Sequence, residues 1–142
     1  MYTTSMSPAP AKGPGKVSLD LLFRALADRT RLRILHLMAD REICVCYFAE
    51  ILQLAQPKVS RHLAYLRKAG MVAARRDGKW MHYRLILPRD PAAKNILRET
   101  LNHLRQNPEM QHDVARLSSA CCQPEKYQLL QGAPQPALVQ TP

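Results

Sequence analysis

Apolar residues at helical spacing over most of the chain, broken by one Asp-Gly hairpin signal, predict a mainly α fold with a small β-hairpin (α+β). Two further observations accompany that pattern. The 142 residues carry a net charge of +10, and the four cysteines fall into two close pairs. The length suits one compact domain with a modest core. The charge favours a polyanionic partner, with nucleic acid the first candidate.

The elements follow in order. Residues 1–16 are rich in Pro, Gly and small side chains, so a flexible N-terminal arm is expected. The folded domain is expected over 17–120, and 121–142 reads as Cys121-Cys122 followed by a flexible Pro/Gln-rich tail. Leu19, Leu22, Phe23 and Leu26 set a first helix. Asp28, with Thr30 beside it, reads as the N-cap of a second helix that turns Leu32, Leu35 and Leu37 or Met38 inward. Residues 44–52 read as a short third helix with Val45, Phe48, Ile51 and Leu52 apolar. Leu54-Ala55 makes a tight connection to the fourth. There Pro57 fits the first turn, Val59, Leu63 and Leu66 form the inward stripe, and Gly70 is the stop. Residues 71–74 and 80–85 read as strands around Asp77-Gly78. Two last helices, 91–106 and 109–120, carry Ile96, Leu97, Leu101, Leu104, Val114 and Leu117. The terminal helices are expected to pair two copies of the chain.

Helix, turn, helix and basic hairpin in that order make a winged helix-turn-helix. Its second helix must enter a major groove about one helix wide, so its outer face must hydrogen-bond. Gln56, Lys58, Ser60, Arg61, His62 and Tyr65 supply that chemistry. Arg75, Arg76 and Lys79 at the hairpin suit phosphate or minor-groove contact. From Pro57 to Arg89 there are nine Lys or Arg residues and one acid, Asp77. Double-stranded DNA is the partner this predicts.

Other classes fit less well. No run of 18 apolar residues and no apolar signal core at the N-terminus are present, so a cytoplasmic protein with reduced thiols is expected. The cysteines form Cys-x-Cys and Cys-Cys pairs without a βαβ pattern or a Gly-rich loop, so an enzyme is not expected, nor an organic cofactor.

Four blocks now stand out: Leu26-Ala27-Asp28-Arg29-Thr30-Arg31-Leu32-Arg33-Ile34-Leu35, Glu42-Ile43-Cys44-Val45-Cys46, Gln56-Pro57-Lys58-Val59-Ser60-Arg61-His62-Leu63, and Gly78-Lys79-Trp80-Met81-His82-Tyr83-Arg84-Leu85. In this order they resemble the ArsR/SmtB family of metalloregulatory repressors, most closely its arsenic-responsive branch. The resemblance covers about residues 21–88. It implies a homodimeric winged-helix repressor that binds an operator when metal-free and releases it when a soft metal or metalloid binds.

Thiolates are the natural ligands of trivalent arsenic and antimony, which are soft. Cys44 and Cys46 therefore read as the sensor beside the recognition helix. Positions i and i+2 on a helix do not share a face, so a shared ion is expected to bend or unwind the start of the third helix. The chain departs from the branch it resembles at Ala49, where a third cysteine would stand, and at Tyr47-Phe48, where Asp-Leu would stand. Three arrangements are open. Cys44 and Cys46 bind as a dithiol, Cys121 or Cys122 completes them, or Cys121 and Cys122 form their own site, suited to methylarsenite. Two other readings remain: a sensor of another metal, with Glu109, His103, His112 and Asp113, expected on the surface, available for zinc at ill-matched spacing and Cys44 and Cys46 with additional thiols for cadmium or lead, and a thiol redox switch.

Overall fold

The computed structural model describes residues 18–139, so the arm expected over 1–16 lies outside the described residues. The chain runs α1 (Leu19–Leu26), α2 (Arg29–Leu37), β1 (Arg41–Cys44), α3 (Val45–Leu52), α4 (Gln56–Lys68), β2 (Val72–Asp77), β3 (Trp80–Leu85), α5 (Pro91–Leu104) and α6 (Pro108–Cys122). Two 3-10 turns, Pro124–Lys126 and Gln128–Leu130, lead to β4 (Ala137–Leu138). The helices with a two-stranded wing are the mainly α, winged helix-turn-helix arrangement that the patterning predicts. Among the described residues no helix is long and apolar enough to cross a membrane.

Local chemistry sets the helix ends. The Ser18 and Asp28 side chains accept N–H bonds from Leu21 and Arg31, capping α1 and α2. Asp90 and Asn107 do the same for α5 and α6, each followed by proline in the first helical turn. Helix α4 stops at Gly70, whose φ of 82° favours glycine. There the Gly70 N–H donates to Arg67 O at 3.0 Å, and the Met71 N–H donates to Leu66 O at 3.0 Å. Met71 and Leu66, both fully buried, complete this Schellman closure.

The wing turns at Gly78, where φ is +62°. Asp77 pairs with Trp80 across a two-residue loop whose first position is the glycine, as a type II′ turn requires. The sheet is larger than the hairpin: its order is β2-β3-β1-β4. Strand β1 pairs with β3 through Ile43↔Tyr83 and Cys44↔His82, and with β4 through Arg41↔Leu138 and Glu42↔Ala137. Where composition argues for a mobile tail beyond Cys122, the chain instead folds back, buries Leu130 and covers the open edge of β1.

Leu22, Ile34, Leu35, Phe48, Leu63 and Leu66 are central to the core, and Leu97, Met110 and Leu117 of the last helices join it. Asp113 is buried too, held by two 2.8 Å bonds from the Arg33 guanidinium that tie α6 to α2. Its expected place on the surface is therefore corrected: this carboxylate is committed to an internal pair. Leu19 and Phe23 on α1 stay about half exposed, at 48% and 53%.

Candidate functional site

The two central thiols meet where β1 becomes α3. Cys44 ends the strand and is the N-cap of α3, with extended φ and ψ of −73° and 148°. Cys46 lies in the first helical turn. Only one of the two is helical, so the i,i+2 objection does not apply. The expectation that the start of α3 must bend or unwind to bring them together is corrected by this junction. The Cys46 thiol donates to Cys44 Sγ at 3.1 Å, both are essentially buried, and neither is in a disulfide.

Their acidities diverge. The hydrogen bond from Cys46 draws the Cys44 thiol down from 9.0 to about 7 against the effect of burial, and the backbone N–H groups of Cys46, Val45 and Met81 assist. The Cys46 thiol is pushed well above the usual range, first by donating to Cys44, then by burial and by the neighbouring charge. The pair thus gives up its first proton near neutrality and holds the second. A helix N-terminus is where a thiolate is favoured.

Tyr47 follows immediately. It is fully buried, and its hydroxyl has no hydrogen-bond partner among the described residues. Burial pushes its phenol up to about 12, with the charges of Cys121, Cys46 and Cys44 adding to it.

Cys121 and Cys122 are the last residues of α6, half-buried and exposed respectively. They line a separate groove with Arg41, Pro136 and Leu138, and the Gln135 side chain donates to Cys121 O at 2.9 Å. Burial raises the Cys121 thiol, and Arg41 works against that. Among the described residues no three His, Cys, Asp or Glu side chains gather as a metal-binding group. The structure thus brings Cys44 and Cys46 together and does not bring Cys121 or Cys122 to them. His103 and His112 are exposed on separate helices, and Glu109 is engaged by Arg29.

The outer face of α4 presents Gln56, Lys58, Ser60 and Arg61 to solvent. His62 and Tyr65 sit differently. They are half-buried against α2, where the Arg31 guanidinium lies 4.3 Å from the Tyr65 ring centre and 3.5 Å from His62 Nδ1. Arg31 is itself held by the carbonyls of Ala25 and Arg24. In the wing, Arg76 and Lys79 are exposed, whereas Arg75 donates to Glu42 on β1 at 2.7 Å. Arg67 and Lys68, part of the basic run but not among the expected contact residues, share a groove with Ser60 and Tyr83 between α4 and the wing. Their spacing from Ser60, seven and eight residues, was the available signal.

Comparison with known proteins agrees with this geometry. Residues 28–74 match the family model described as bacterial regulatory protein, arsR family. Over 66 residues the chain is 52% identical to the arsenic resistance transcriptional regulator ArsR1 of Pseudomonas putida, 46% of this chain and 52% of that protein. The chain thus spans about half the length of that relative. It is 41% identical over 78 residues to an HTH-type transcriptional regulator of Methanocaldococcus jannaschii, 54% of this chain and 84% of that one. The solved structure of HlyU from Vibrio cholerae superposes with a TM-score of 0.53 at 30% identity, covering 61% of this chain and 91% of that one. By fold and by sequence, this chain belongs to the ArsR family of bacterial regulatory proteins.

Proposed function

We propose that the chain is a metalloid-responsive transcriptional repressor. It binds operator DNA as a homodimer and lets go when trivalent arsenic or antimony bridges Cys44 and Cys46. One observation carries the reading: a buried pair of sulfurs 3.1 Å apart at the start of α3, the helix packed against recognition helix α4. The arsenic-resistance names of its relatives support it.

The donors fit such an inducer. With metal–sulfur bonds of about 2.3 Å, sulfurs 3.1 Å apart subtend an angle of about 85° at a shared ion. That suits a pyramidal three-coordinate ion better than a tetrahedral one, which would want about 3.8 Å. Cys44 offers a thiolate near neutrality, and Cys46 gives up its proton as the ion takes the place of the S–H···S bond. Re-aiming both sulfurs shifts the first turn of α3. Helix α4 packs on α3, so its DNA-facing side chains Gln56, Lys58, Ser60 and Arg61 move with it. His62, Tyr65 and Arg75 contribute by holding α4 and the wing in place, while Arg76 and Lys79 take phosphates. The exposed Leu19 and Phe23 on α1 supply an apolar face for the second copy.

The test is binding of an operator fragment titrated with arsenite, antimonite, cadmium and zinc under reductant, with peroxide as a separate arm. Release by arsenite and antimonite should disappear in Cys44→Ser and Cys46→Ser and survive replacement of both Cys121 and Cys122 by Ser. Release by cadmium or zinc alone, or by peroxide alone, would overturn the metalloid reading.

A further inference from the structure

The flank of α4 that faces the wing carries a row at helical spacing: Ser60, Ala64, Arg67 and Lys68. With Tyr83 of β3 they line a groove of about 410 Å³. Ala64, the smallest side chain of the row, keeps its middle open. The other four lining residues can all donate hydrogen bonds, through two hydroxyls, a guanidinium and an ammonium. No carboxylate lines the groove, and among the described residues none pairs with Arg67 or Lys68.

Other basic residues near the recognition helix are already engaged. Arg31, Arg33 and Arg75 are held by Asp28, Asp113 and Glu42. Arg67 and Lys68 stay exposed. Tyr83 is half-buried, with its ring packed against the core. Burial pushes its phenol up, with Arg67 acting against that, so the hydroxyl keeps its proton at neutral pH and remains a donor.

A helix seated in the major groove has a sugar-phosphate backbone along its flanks. On one flank α4 is packed by α2 through His62 and Tyr65. On the other the groove opens between α4 and the wing. Two positive charges, two hydroxyls and no anion match a phosphate diester, whose free oxygens only accept.

We propose that the groove between α4 and β3 seats one backbone phosphate of the bound DNA, held by Arg67 and Lys68 with hydrogen bonds from the Ser60 and Tyr83 hydroxyls. The seat fixes the placement of α4 in the major groove without reading sequence. The inference deepens the DNA-binding reading above and rests on it. Tyr83 pairs with Ile43, the neighbour of Cys44, so the seat is anchored to the strand that ends in a sensor thiol.

The test uses the full-length reduced protein and operator fragments in which one phosphate at a time is replaced by a neutral methylphosphonate. Several linkages should cost affinity in the wild type. One of them, at about tenfold, should cost less than about twofold in Arg67→Ala. Arg67→Ala should weaken operator and non-operator DNA alike, with a salt slope smaller by about 1. Tyr83→Phe should weaken both by about fivefold and leave the slope unchanged, because a phenol carries no charge. Ala64→Leu, which fills the seat from an exposed position, should reproduce the loss seen in Arg67→Ala. The inference is overturned if Arg67→Ala and the wild type share one methylphosphonate profile, or if the variants keep wild-type affinity. Loss of operator affinity alone overturns it too, since that is the mark of base reading. Failure of the underlying reading looks different: the wild-type protein then binds neither DNA.

Discussion

The two cysteine pairs are alike in composition and opposite in setting. Cys44 and Cys46 are buried at the N-terminus of α3, in contact, with one thiol drawn down to about 7. Cys121 and Cys122 sit at the C-terminus of α6, where the helix dipole disfavours a thiolate, and burial raises the Cys121 thiol. Thiol count alone would rank the pairs equally. Helix polarity and the strand-to-helix junction at Cys44 separate them, and put the more acidic thiol on the helix packed against α4.

The largest expected effect tests that ranking directly. Replacing Cys44 and Cys46 by Ser should lower arsenite affinity beyond the roughly 10–100-fold typical of losing an outer partner, whereas replacing Cys121 and Cys122 should change it by less than about twofold. Isothermal titration under reductant measures both. Comparable losses would abolish the distinction between the pairs.

Next in size is the scaffold beneath each pair. Asp113→Ala strands the partly buried Arg33 and frees α6 from α2, which should cost about 3 kcal/mol in urea unfolding. Glu42→Gln loosens β1 from Arg75, a largely exposed partner, and should cost less than about 1 kcal/mol. Below the unfolding midpoint, Asp113→Ala should leave arsenite affinity intact, because it disturbs only the α6 pair.

The pH dependence sharpens the contrast. Cys44 titrates lower folded than unfolded, so its contribution is absent below about pH 7 and grows as pH rises to 9.0. Cys46 titrates higher folded than unfolded, so stability declines again above 9.0. Wild-type stability should therefore pass through a maximum near pH 9 that Cys44→Ser removes. A profile shared by wild type and variant would count against the acidic thiol. The smallest effect lies in the wing: Lys79→Ala should weaken operator and non-operator DNA alike and reduce the salt slope by about 1.

Much of this was legible in the chain. Asp28 as a cap, Pro57 opening α4, Gly70 closing it and Asp77-Gly78 turning the wing are local devices, and local devices leave local signals. Strand β1 was not legible. Four residues are too few to show alternation, and its partners Tyr83 and His82 are about forty positions away. The same distance hid the junction that brings Cys44 and Cys46 together. Strand β4 was hidden by proline-rich composition, although only the exposed edge of β1 makes Ala137 and Leu138 extend there. The roles of Tyr65 and Arg75 were masked because Arg31 and Glu42, which occupy them, lie on other elements.

X-ray absorption of the arsenite-loaded protein tests the central claim most directly, because it counts the atoms bound to arsenic. Two sulfurs and one oxygen are expected, from Cys44, Cys46 and a hydroxyl of the inducer. Three sulfurs would contradict the account, since a third thiol could come only from Cys121, Cys122 or a second copy of the chain.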